Sequence, residues 1–453
     1  MTASTAAVSP ALERGGLREV SALAWPVILS QISSTLMGVV DSAMVGRLGA
    51  TELAAVGFAN VWSWTLFSLF FGAATGVQTF VAQHHGAGDE RRCGAWVWHA
   101  GVVLVPAAGL VATAIALLAP SLLALLGPSA GLQDAALEFL RPRLLGLVGT
   151  TVAFLWTSFF RGIGDTRTPM VGAVLANVLN AALAYGLIFG AAGFPRLGVM
   201  GSGVAMAVAE WSLAGFLAVA AMRRATRVRF ETAPAAPRLV DTRRVLRTGL
   251  PIGGQWVLDM SAFAVFTTLV ARMGDASMAA SQAFIALLSL SFMQASGLSI
   301  AAATLVGRYV GASDPAAAER SFRTALGLAA ALGATVGALF LTVPDPLFRL
   351  FTRDDAVLQL GGPLLALGAG FQFLDALGIV ASGALRGAGD TRWPFLAQAG
   401  LAWLLFLPAA YVLGVALGGG LRGAWTGGLL YVAALAAAFL WRFRMGTWRQ
   451  IRI

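Results

Sequence analysis

Long apolar segments recur along the whole 453-residue chain, and this feature restricts its fold more than any other. A helix of about 20 apolar residues is long enough to cross the roughly 30 Å hydrocarbon layer of a membrane. Only 11% of the residues are charged, whereas a soluble domain carries roughly a quarter. The alternating segments of about ten residues that build membrane β-barrels are absent. Polar connections separate twelve apolar segments, which predicts an all-α integral membrane protein with twelve transmembrane helices.

The residue types that the chain lacks exclude several functions. It contains no lysine, so all 31 basic residues are arginines. It therefore has neither the phosphate-binding lysine of a Walker A motif nor a lysine that could form a Schiff base. The single cysteine, Cys93, excludes an internal disulfide, and the three histidines show no metal-ligand spacing. We expect no cofactor and, because the arginines are scattered through short loops, no nucleic-acid partner.

The positions of the arginines predict the orientation of the chain in the membrane. When the N-terminus is placed inside, most of the arginines fall in loops on that same side, which is the bias typical of cytoplasmic loops. Both termini are then cytoplasmic. We expect a cytoplasmic tail over residues 1–16, an arginine-rich cytoplasmic loop over residues 223–245 and a second cytoplasmic tail over residues 446–453.

An internal repeat predicts how the helices are arranged. The string RGIGDTRTPM at residues 161–170 returns as RGAGDTRWPF at residues 386–395, 225 positions later. The same shift places Pro26 on Pro251 and Gly86 on Gly311. Because the repeat contains six helices, both copies enter the membrane from the same side, and transporters use such parallel repeats to frame a central site. We predict an N-lobe at residues 17–222 and a C-lobe at residues 246–445.

Each repeated string is predicted to form a tight turn after the fourth helix of its lobe. The glycines permit the turn, and Asp165 and Asp390 are expected to cap the helix that follows. The alternative is that Arg161 or Arg386 forms a salt bridge that gates the protein.

Acidic residues inside the predicted helices are candidates for function, because a carboxylate in a membrane costs about 2.5–3.5 kcal/mol. Gln31 and Ser34 share one helical face with Asp41, since they are spaced by three or four residues. Trp256 lies on the same face as Asp259, and aromatic rings beside an acid suit a cation. The acids in question are Asp41, Glu210, Asp259 and Asp375.

These acids are not part of the repeat. Shifted by 225 positions, Asp41 aligns with Phe266, and Asp259 aligns with Ser34. The fold is duplicated and its charges are not, so we expect the two lobes to divide ion coupling and substrate neutralisation between them. For Glu210 two interpretations are open: it packs against another helix, or it faces a cavity.

Several stretches of the chain resemble the multidrug and toxic compound extrusion (MATE) family. They are VVDSAMVGRLGATELAAVGFAN at residues 39–60, SIAAATLVGRYVGASDPAAAERS at residues 299–321 and the two repeated strings. The resemblance runs from about Leu17 to about Trp441 and includes NorM-like and DinF-like features. It implies two six-helix lobes that form a V around a central cavity, which opens to either side of the membrane in turn.

The resemblance also implies which residues bind ions. Asp41 matches the acid of the family's first helix, and the two asparagines opposite it match as well. Ala184 departs from the DinF-like pattern, which often has a second acid there, so a two-carboxylate N-lobe site is in doubt. Asp259 matches a NorM-like glutamate and Asp375 a NorM-like acid. The ion-coupling candidates are Asp41, Asn177, Asn180, Asp259 and Asp375, with Na⁺ sites at Asp259 and Asp375 or at Asp41 and Asn180.

Substrate contacts are predicted on the first, seventh and tenth helices, which also carry ion-coupling candidates, and on the eighth. Gln282 matches a frequent family glutamine, whereas Phe371 stands where some relatives carry a tyrosine, so that phenolic oxygen is missing. The substrate-binding candidates are Gln31, Ser34, Trp256, Gln282, Phe371 and Gln372.

The predicted function is that of a secondary antiporter in a bacterial inner membrane. It would act as a monomer among membrane lipids and export small organic compounds, often cationic or aromatic, in exchange for H⁺ or Na⁺. One alternative is a flippase for lipid-linked oligosaccharides, whose cavity would be rich in basic residues. Another is a polytopic membrane enzyme, but the adjacent Asp354 and Asp355 lack the second acidic pair that a metal site of that kind requires.

Overall fold

Helices account for nearly all of the regular structure in the computed structural model, which describes residues 14–126, 129–352 and 354–451. In these residues, twelve helices are long and apolar enough to cross a membrane, as predicted. They are α1 (Leu17–Gly46), α2 (Ala50–Gly86), α3 (Ala95–Leu126), α4 (Ala130–Ile163), α5 (Arg167–Phe189), α6 (Val199–Met222), α7 (Leu239–Ala271), α8 (Asp275–Gly311), α9 (Pro315–Thr342), α10 (Asp355–Gly387), α11 (Arg392–Ala416) and α12 (Gly420–Arg444).

Several helices extend beyond the apolar segments. The 37 residues of α2 and of α8 are each about 55 Å long at 1.5 Å per residue, more than the hydrocarbon layer requires. The predicted loop 223–245 contains a short helix, Arg224–Phe230, and the first turns of α7. Hydropathy does not detect these turns because they are polar. Of the predicted tails, residues 1–13 and 452–453 lie outside the described residues.

The six-helix repeat is present in the structure. Helices α2 and α8 begin and end 225 residues apart, and α5 and α11 begin at the equivalent residues Arg167 and Arg392. We refer to α1–α6 as the N-lobe and to α7–α12 as the C-lobe. The repeat is not perfect, because α11 contains two π-helical segments, Ala402–Phe406 and Val412–Ala416, whereas α5 is a regular helix.

Glycines allow helices of the two lobes to pack closely. A Cβ atom on Gly72 of α2 would lie 2.4 Å from the Cα of Gly253 of α7. The equivalent contact joins Gly297 of α8 to Ile28 of α1, where a Cβ would lie 2.4 Å from the isoleucine side chain. Small residues permit this close approach between membrane helices. The lobes are therefore packed about a pseudo-twofold axis, each through its first two helices.

The polar contacts between the lobes are concentrated at one end. Among the described residues, most of them involve the starts of α1, α7 and α9 and the last turns of α2, α4, α8 and α10. They also involve the start of α3, where His99 meets Asp241. All these segments lie at the end of the bundle where α1 begins, which we call the terminal end. Two further contacts, between Thr35 and Met293 and between Phe71 and Trp256, lie near the middle of their helices.

Candidate functional site

The two repeated strings meet the opposite lobe at the terminal end. The Thr79 hydroxyl of α2 donates to the Arg386 carbonyl at 3.0 Å. The equivalent residue of α8, Thr304, donates to the Arg161 carbonyl at 3.1 Å. The repeat therefore produces two matching hydrogen bonds between lobes, each of which ends on a repeated string.

A second pair of hydrogen bonds lies one turn further along, with equivalent donors and with acceptors that differ by one position in the repeat. Gln83 donates to the Gly387 carbonyl at 3.2 Å, and its repeat equivalent, Arg308, donates to the Ile163 carbonyl at 3.1 Å. We call these four donors and their carbonyl acceptors the closed-end seam. Neither Arg161 nor Arg386 forms a salt bridge within the described ranges. Their backbone carbonyls, not their charges, join the lobes.

Two glycines make the closed-end seam possible. A Cβ on Gly86 would lie 1.8 Å from the Arg308 carbonyl oxygen, and a Cβ on Gly311 would lie 1.9 Å from the Gln83 carbonyl oxygen. Because both obstacles are backbone atoms, they cannot turn aside as a side chain could. The last residue of α2 and of α8 must be glycine for the lobes to approach this closely.

The turns that follow α4 and α10 have the same backbone and different side-chain contacts. Gly164 and Gly389 both have left-handed backbone angles, with φ +89° and +93°. Asp165 accepts hydrogen bonds from the backbone N–H groups of Arg167 and Thr168, so the predicted cap is confirmed. Asp390 instead accepts a hydrogen bond from Arg442 at 2.8 Å, so the predicted cap is wrong there.

Glu19 ties the start of α1 to the C-lobe. Its carboxylate lies 3.6 Å from the Arg308 guanidinium and accepts a hydrogen bond of 2.8 Å from the Tyr309 hydroxyl. Sequence reasoning missed Glu19 because an acid in the first turn of a helix is ordinary.

The N-lobe acid, Asp41, is buried between α1 and α6. Asp41 is only 1% exposed, and its carboxylate accepts a hydrogen bond of 2.9–3.0 Å from the Ser202 hydroxyl. Ser202 was not predicted, since one serine in a glycine-rich helix gives no signal. Asn180 is buried on α5, and its Oδ1 atom has no hydrogen-bond donor among the described residues.

The predicted polar face of α1 is divided in the structure. Asn177 of α5 donates to the Ser33 hydroxyl at 2.9 Å and lies 3.5 Å from the Ser34 hydroxyl. These serines precede Asp41 by about two helical turns. Ser34 is exposed, Gln31 is half-buried, and a Cβ on Gly38 would meet open space. This face therefore borders an open volume up to Gly38, beyond which Asp41 is enclosed.

Glu210 forms an ion pair inside the N-lobe. Its two carboxylate oxygens each lie 2.6 Å from Nη1 of Arg143 on α4. The guanidinium also lies 4.2 Å from the ring centroid of Phe67, and Gly146 leaves room for the carboxylate. Of the two interpretations left open by the sequence, contact with another helix is the observed one. Arg143 was missed as its partner.

The C-lobe acids, Asp259 and Asp375, are only half-buried. Asp259 accepts a hydrogen bond of 3.1 Å from the hydroxyl of Tyr431 on α12. Gln398 of α11 also hydrogen-bonds to this carboxylate and itself accepts a hydrogen bond from Gln255. Asp375 of α10 is near enough to interact electrostatically with Asp259. The structure thus brings together the two predicted C-lobe acids, and it adds Tyr431 and Gln398.

The predicted substrate contacts of the C-lobe lie in different surroundings. The Trp256 ring contacts Phe71 of the N-lobe, with ring centroids 5.9 Å apart. Gln282 is exposed on α8. Phe371 packs near Trp425, with centroids 6.1 Å apart. Gln372 is 2% exposed and donates to the Leu288 carbonyl at 3.2 Å, so its amide is already used within the lobe.

Two repeated six-helix lobes, joined at one end and carrying acids within their spanning helices, define a helical membrane transport protein. The MatE family profile matches residues 26–186 and 251–412, once in each lobe. The chain belongs to the MATE family of transporters, which confirms the resemblance noted in its sequence.

Curated relatives match nearly the whole chain. "Multidrug resistance protein NorM" of Burkholderia vietnamiensis is 32% identical over 448 residues, which cover 98% of this chain and 96% of the relative. "Probable multidrug resistance protein NorM" of Thermotoga maritima is 30% identical over 435 residues, covering 96% and 93%. A crystal structure of MATE in the straight conformation matches the fold with a TM-score of 0.87 at 21% identity, covering 96% of this chain and 97% of that chain.

Proposed function

We propose that this protein is a secondary antiporter that exports organic, cationic or aromatic compounds across a bacterial inner membrane in exchange for H⁺ or Na⁺. The observation that carries the proposal is that unlike carboxylate sites occupy two repeated lobes whose hydrogen bonds to each other are concentrated at the terminal end. The names of the bacterial relatives support multidrug export as the activity. Because both lobes belong to one chain, a monomer suffices.

The closed-end seam supports alternating access. With both termini in the cytoplasm, the terminal end faces inward, so this arrangement is closed to the cytoplasm and open to the outside. The seam consists mainly of side chain to carbonyl hydrogen bonds, each worth about 1 kcal/mol. One charge that moves inward across 100 mV releases about 2.3 kcal/mol, so one or two ions supply enough free energy to break and remake it.

The two sites fit different roles. Asp259 and Asp375 are half-buried, and Asp259 lies one helical turn from Trp256, whose ring contacts Phe71 and Phe292. Acids near aromatic rings suit the attraction of an organic cation. Asp41 is enclosed and bonded to another helix, so a change of its charge alters helix packing inside the N-lobe. We assign substrate neutralisation mainly to the C-lobe and ion coupling mainly to Asp41.

Protons are the coupling ion that we favour. Asp41 has one hydroxyl partner, and Ala184 supplies no second carboxylate. A proton needs only one acid, whereas Na⁺ needs several oxygen ligands. A Na⁺ site would have to combine Asp41 with the unpartnered oxygen of Asn180, or Asp259 with Asp375.

The alternatives have weaker support. The helices carry isolated acids rather than an array of basic groups for a pyrophosphate, which disfavours a flippase for lipid-linked oligosaccharides. Against a membrane enzyme, Asp354 accepts a hydrogen bond from the backbone N–H of Ala356 and caps α10, which is a structural use of this aspartate. Across the described part of the chain, no cluster of three or more His, Cys, Asp or Glu could hold a metal.

Transport in proteoliposomes tests the proposal. The purified protein is reconstituted, and efflux of ethidium is measured under a pH gradient alone and under a Na⁺ gradient alone. We expect the pH gradient to drive efflux at least tenfold faster than no gradient. The Asp41→Asn, Asp259→Asn double variant is the control and should show no driven efflux. Efflux that neither gradient accelerates would refute antiport.

A further inference from the structure

The Tyr431 hydroxyl is the one phenolic group described at a transport acid. It donates to Asp259 from α12, and its residue is only 8% exposed. Its ring stacks on Phe406 of α11, with centroids 5.3 Å apart and planes 23° apart, which fixes the direction in which the hydroxyl points. A buried phenol held in this way is oriented toward the carboxylate by packing rather than by chance.

We propose that Tyr431 is a positioning residue that orients Asp259 and transmits its protonation to α11 and α12. This inference rests on the proposed antiport, since it assigns a role within the C-lobe site. The titratable groups that face Asp259 are Tyr431 from α12 and Asp375 from α10, and α11 contributes the amide of Gln398.

The chemistry of the hydrogen bond explains the transmission. An ionised carboxylate only accepts hydrogen bonds, so it holds the Tyr431 hydroxyl as a donor. A protonated Asp259 has a hydroxyl of its own, which competes for the same line between the two oxygens. The neutral carboxyl is also a weaker acceptor than the carboxylate, so the hold on the phenol is loosened and its hydroxyl can turn toward the Gln398 amide, which lies within hydrogen-bonding reach. The proton stays on Asp259, and no covalent bond of the tyrosine changes.

Helix α11 contacts Tyr431 and can respond when the Tyr431 hydroxyl rotates. Gln398 lies on α11 just before its first π-helical segment, Ala402–Phe406, and Phe406 ends that segment and stacks on Tyr431. π-Helical turns are irregular, and they are frequent at functional sites. Gln398 also accepts a hydrogen bond from Gln255 of α7. A change at Tyr431 therefore reaches α7 and α11 through direct contacts.

An infrared titration of the purified protein tests this without requiring transport. The carboxylic C=O band that disappears in Asp259→Asn reports protonation of Asp259. We expect Tyr431→Phe to move the midpoint of that band about one pH unit toward alkaline pH, because the ionised carboxylate loses a donor. Tyr411→Phe is the matched control, since Tyr411 lies exposed on α11, and it should not move the midpoint.

A second variant and a transport measurement complete the test. Gln398→Leu removes the other donor and should shift the same band in the same direction, so the proposal stays testable if Tyr431→Phe does not fold. A midpoint that Tyr431→Phe leaves unmoved would overturn the role of Tyr431, as would one that Gln398→Leu leaves unmoved if Tyr431→Phe does not fold. A shifted midpoint in a protein that shows no gradient-driven efflux would leave the positioning role standing and refute the antiport.

Discussion

The two lobes are alike at the terminal end and unlike in the middle of the membrane. At the terminal end, Thr79 and Thr304 make the same hydrogen bond in opposite directions. In the middle, the N-lobe encloses Asp41 beside a serine, and the C-lobe holds Asp259 beside a phenol and a second acid. Shared geometry is what two bodies need to rock about one axis. The chemistry that drives the movement has no such constraint, so it could diverge.

The same contrast applies to ion pairs. The N-lobe contains the pair of Arg143 and Glu210, whereas the equivalent C-lobe positions are Gly368 and Leu435. The C-lobe thus shows that this helix arrangement can form with uncharged residues at these two positions. The pair is therefore not a requirement of the helix arrangement, and its removal tests how much the N-lobe depends on its own charges.

Breaking that ion pair has the largest expected effect. Glu210→Gln leaves the guanidinium of Arg143 inside the lobe without its carboxylate, and the loss of one partner of a buried pair costs about 3–5 kcal/mol. The free energy of unfolding, measured in detergent by chemical denaturation, should fall by about this amount. Arg323→Gln, which breaks an exposed pair with Glu319, should change it by less than about 0.5 kcal/mol.

The double variant sharpens this result. Arg143→Met combined with Glu210→Leu imitates the apolar C-lobe and should recover most of the lost stability, because no charge is left unpaired. If the double variant were as unstable as Glu210→Gln, then the pair itself would be indispensable and the comparison with the C-lobe would be misleading.

Next in size is the loss of close approach at the closed-end seam. Gly86→Ala and Gly311→Ala each place a methyl group against a carbonyl of the other lobe. Such overpacking costs about 1–3 kcal/mol, which here disfavours only the closed terminal end. Because the contacts are equivalent, the two variants should lower gradient-driven efflux by similar factors, tenfold or more.

Spin labels at Ala87 and Ala312 report the same effect as a distance. These positions are exposed and equivalent in the repeat. The population with a wide separation should increase in both glycine variants and not in Gly327→Ala, whose new methyl group meets open space. If the wide separation increased in only one of Gly86→Ala and Gly311→Ala, the two halves of the closed-end seam would differ in function.

Asp41 is buried and Asp259 is half-buried, so their neutral variants should impair different steps of transport. Asp259→Asn should weaken ethidium binding about tenfold, or 1.4 kcal/mol, because a half-buried charge that attracts the cation is lost. Asp41→Asn should leave binding within about threefold and abolish acceleration by a pH gradient. Fluorescence titration and proteoliposome efflux measure the two quantities. The reverse pattern would exchange the roles of the lobes.

Sequence reasoning predicts the parts of this protein that repeat or that are long. Hydropathy gives the twelve helices because each spans the same apolar layer, and the 225-residue shift gives the lobes. Sequence reasoning also picks out Asp259 and Asp375 as functional candidates, since acids are rare within such helices. These signals arise from length and composition, which do not depend on how one helix is rotated against another.

The partners of the acids could not be predicted in the same way. Ser202, Tyr431 and Arg143 each come from a helix distant in sequence, and which side chain meets which acid depends on helix rotation and depth. The repeated strings give an example, because Asp165 and Asp390 are equivalent in sequence but have different partners. Helix α12 brings Arg442 to Asp390, whereas the residue of α6 equivalent to Arg442 is the buried Leu217.

That difference gives the smallest prediction, in which one substitution at two equivalent positions should have different effects. Asp165→Asn should leave stability nearly unchanged, since asparagine caps a helix about as well as aspartate. Asp390→Asn should lower the free energy of unfolding by roughly 1 kcal/mol, because a charged hydrogen bond to Arg442 becomes a neutral one. Arg442→Gln should match it and, combined with Asp390→Asn, should add little. Equal losses at Asp165 and Asp390 would mean that both aspartates act only through the turn, and that Arg442 contributes nothing there.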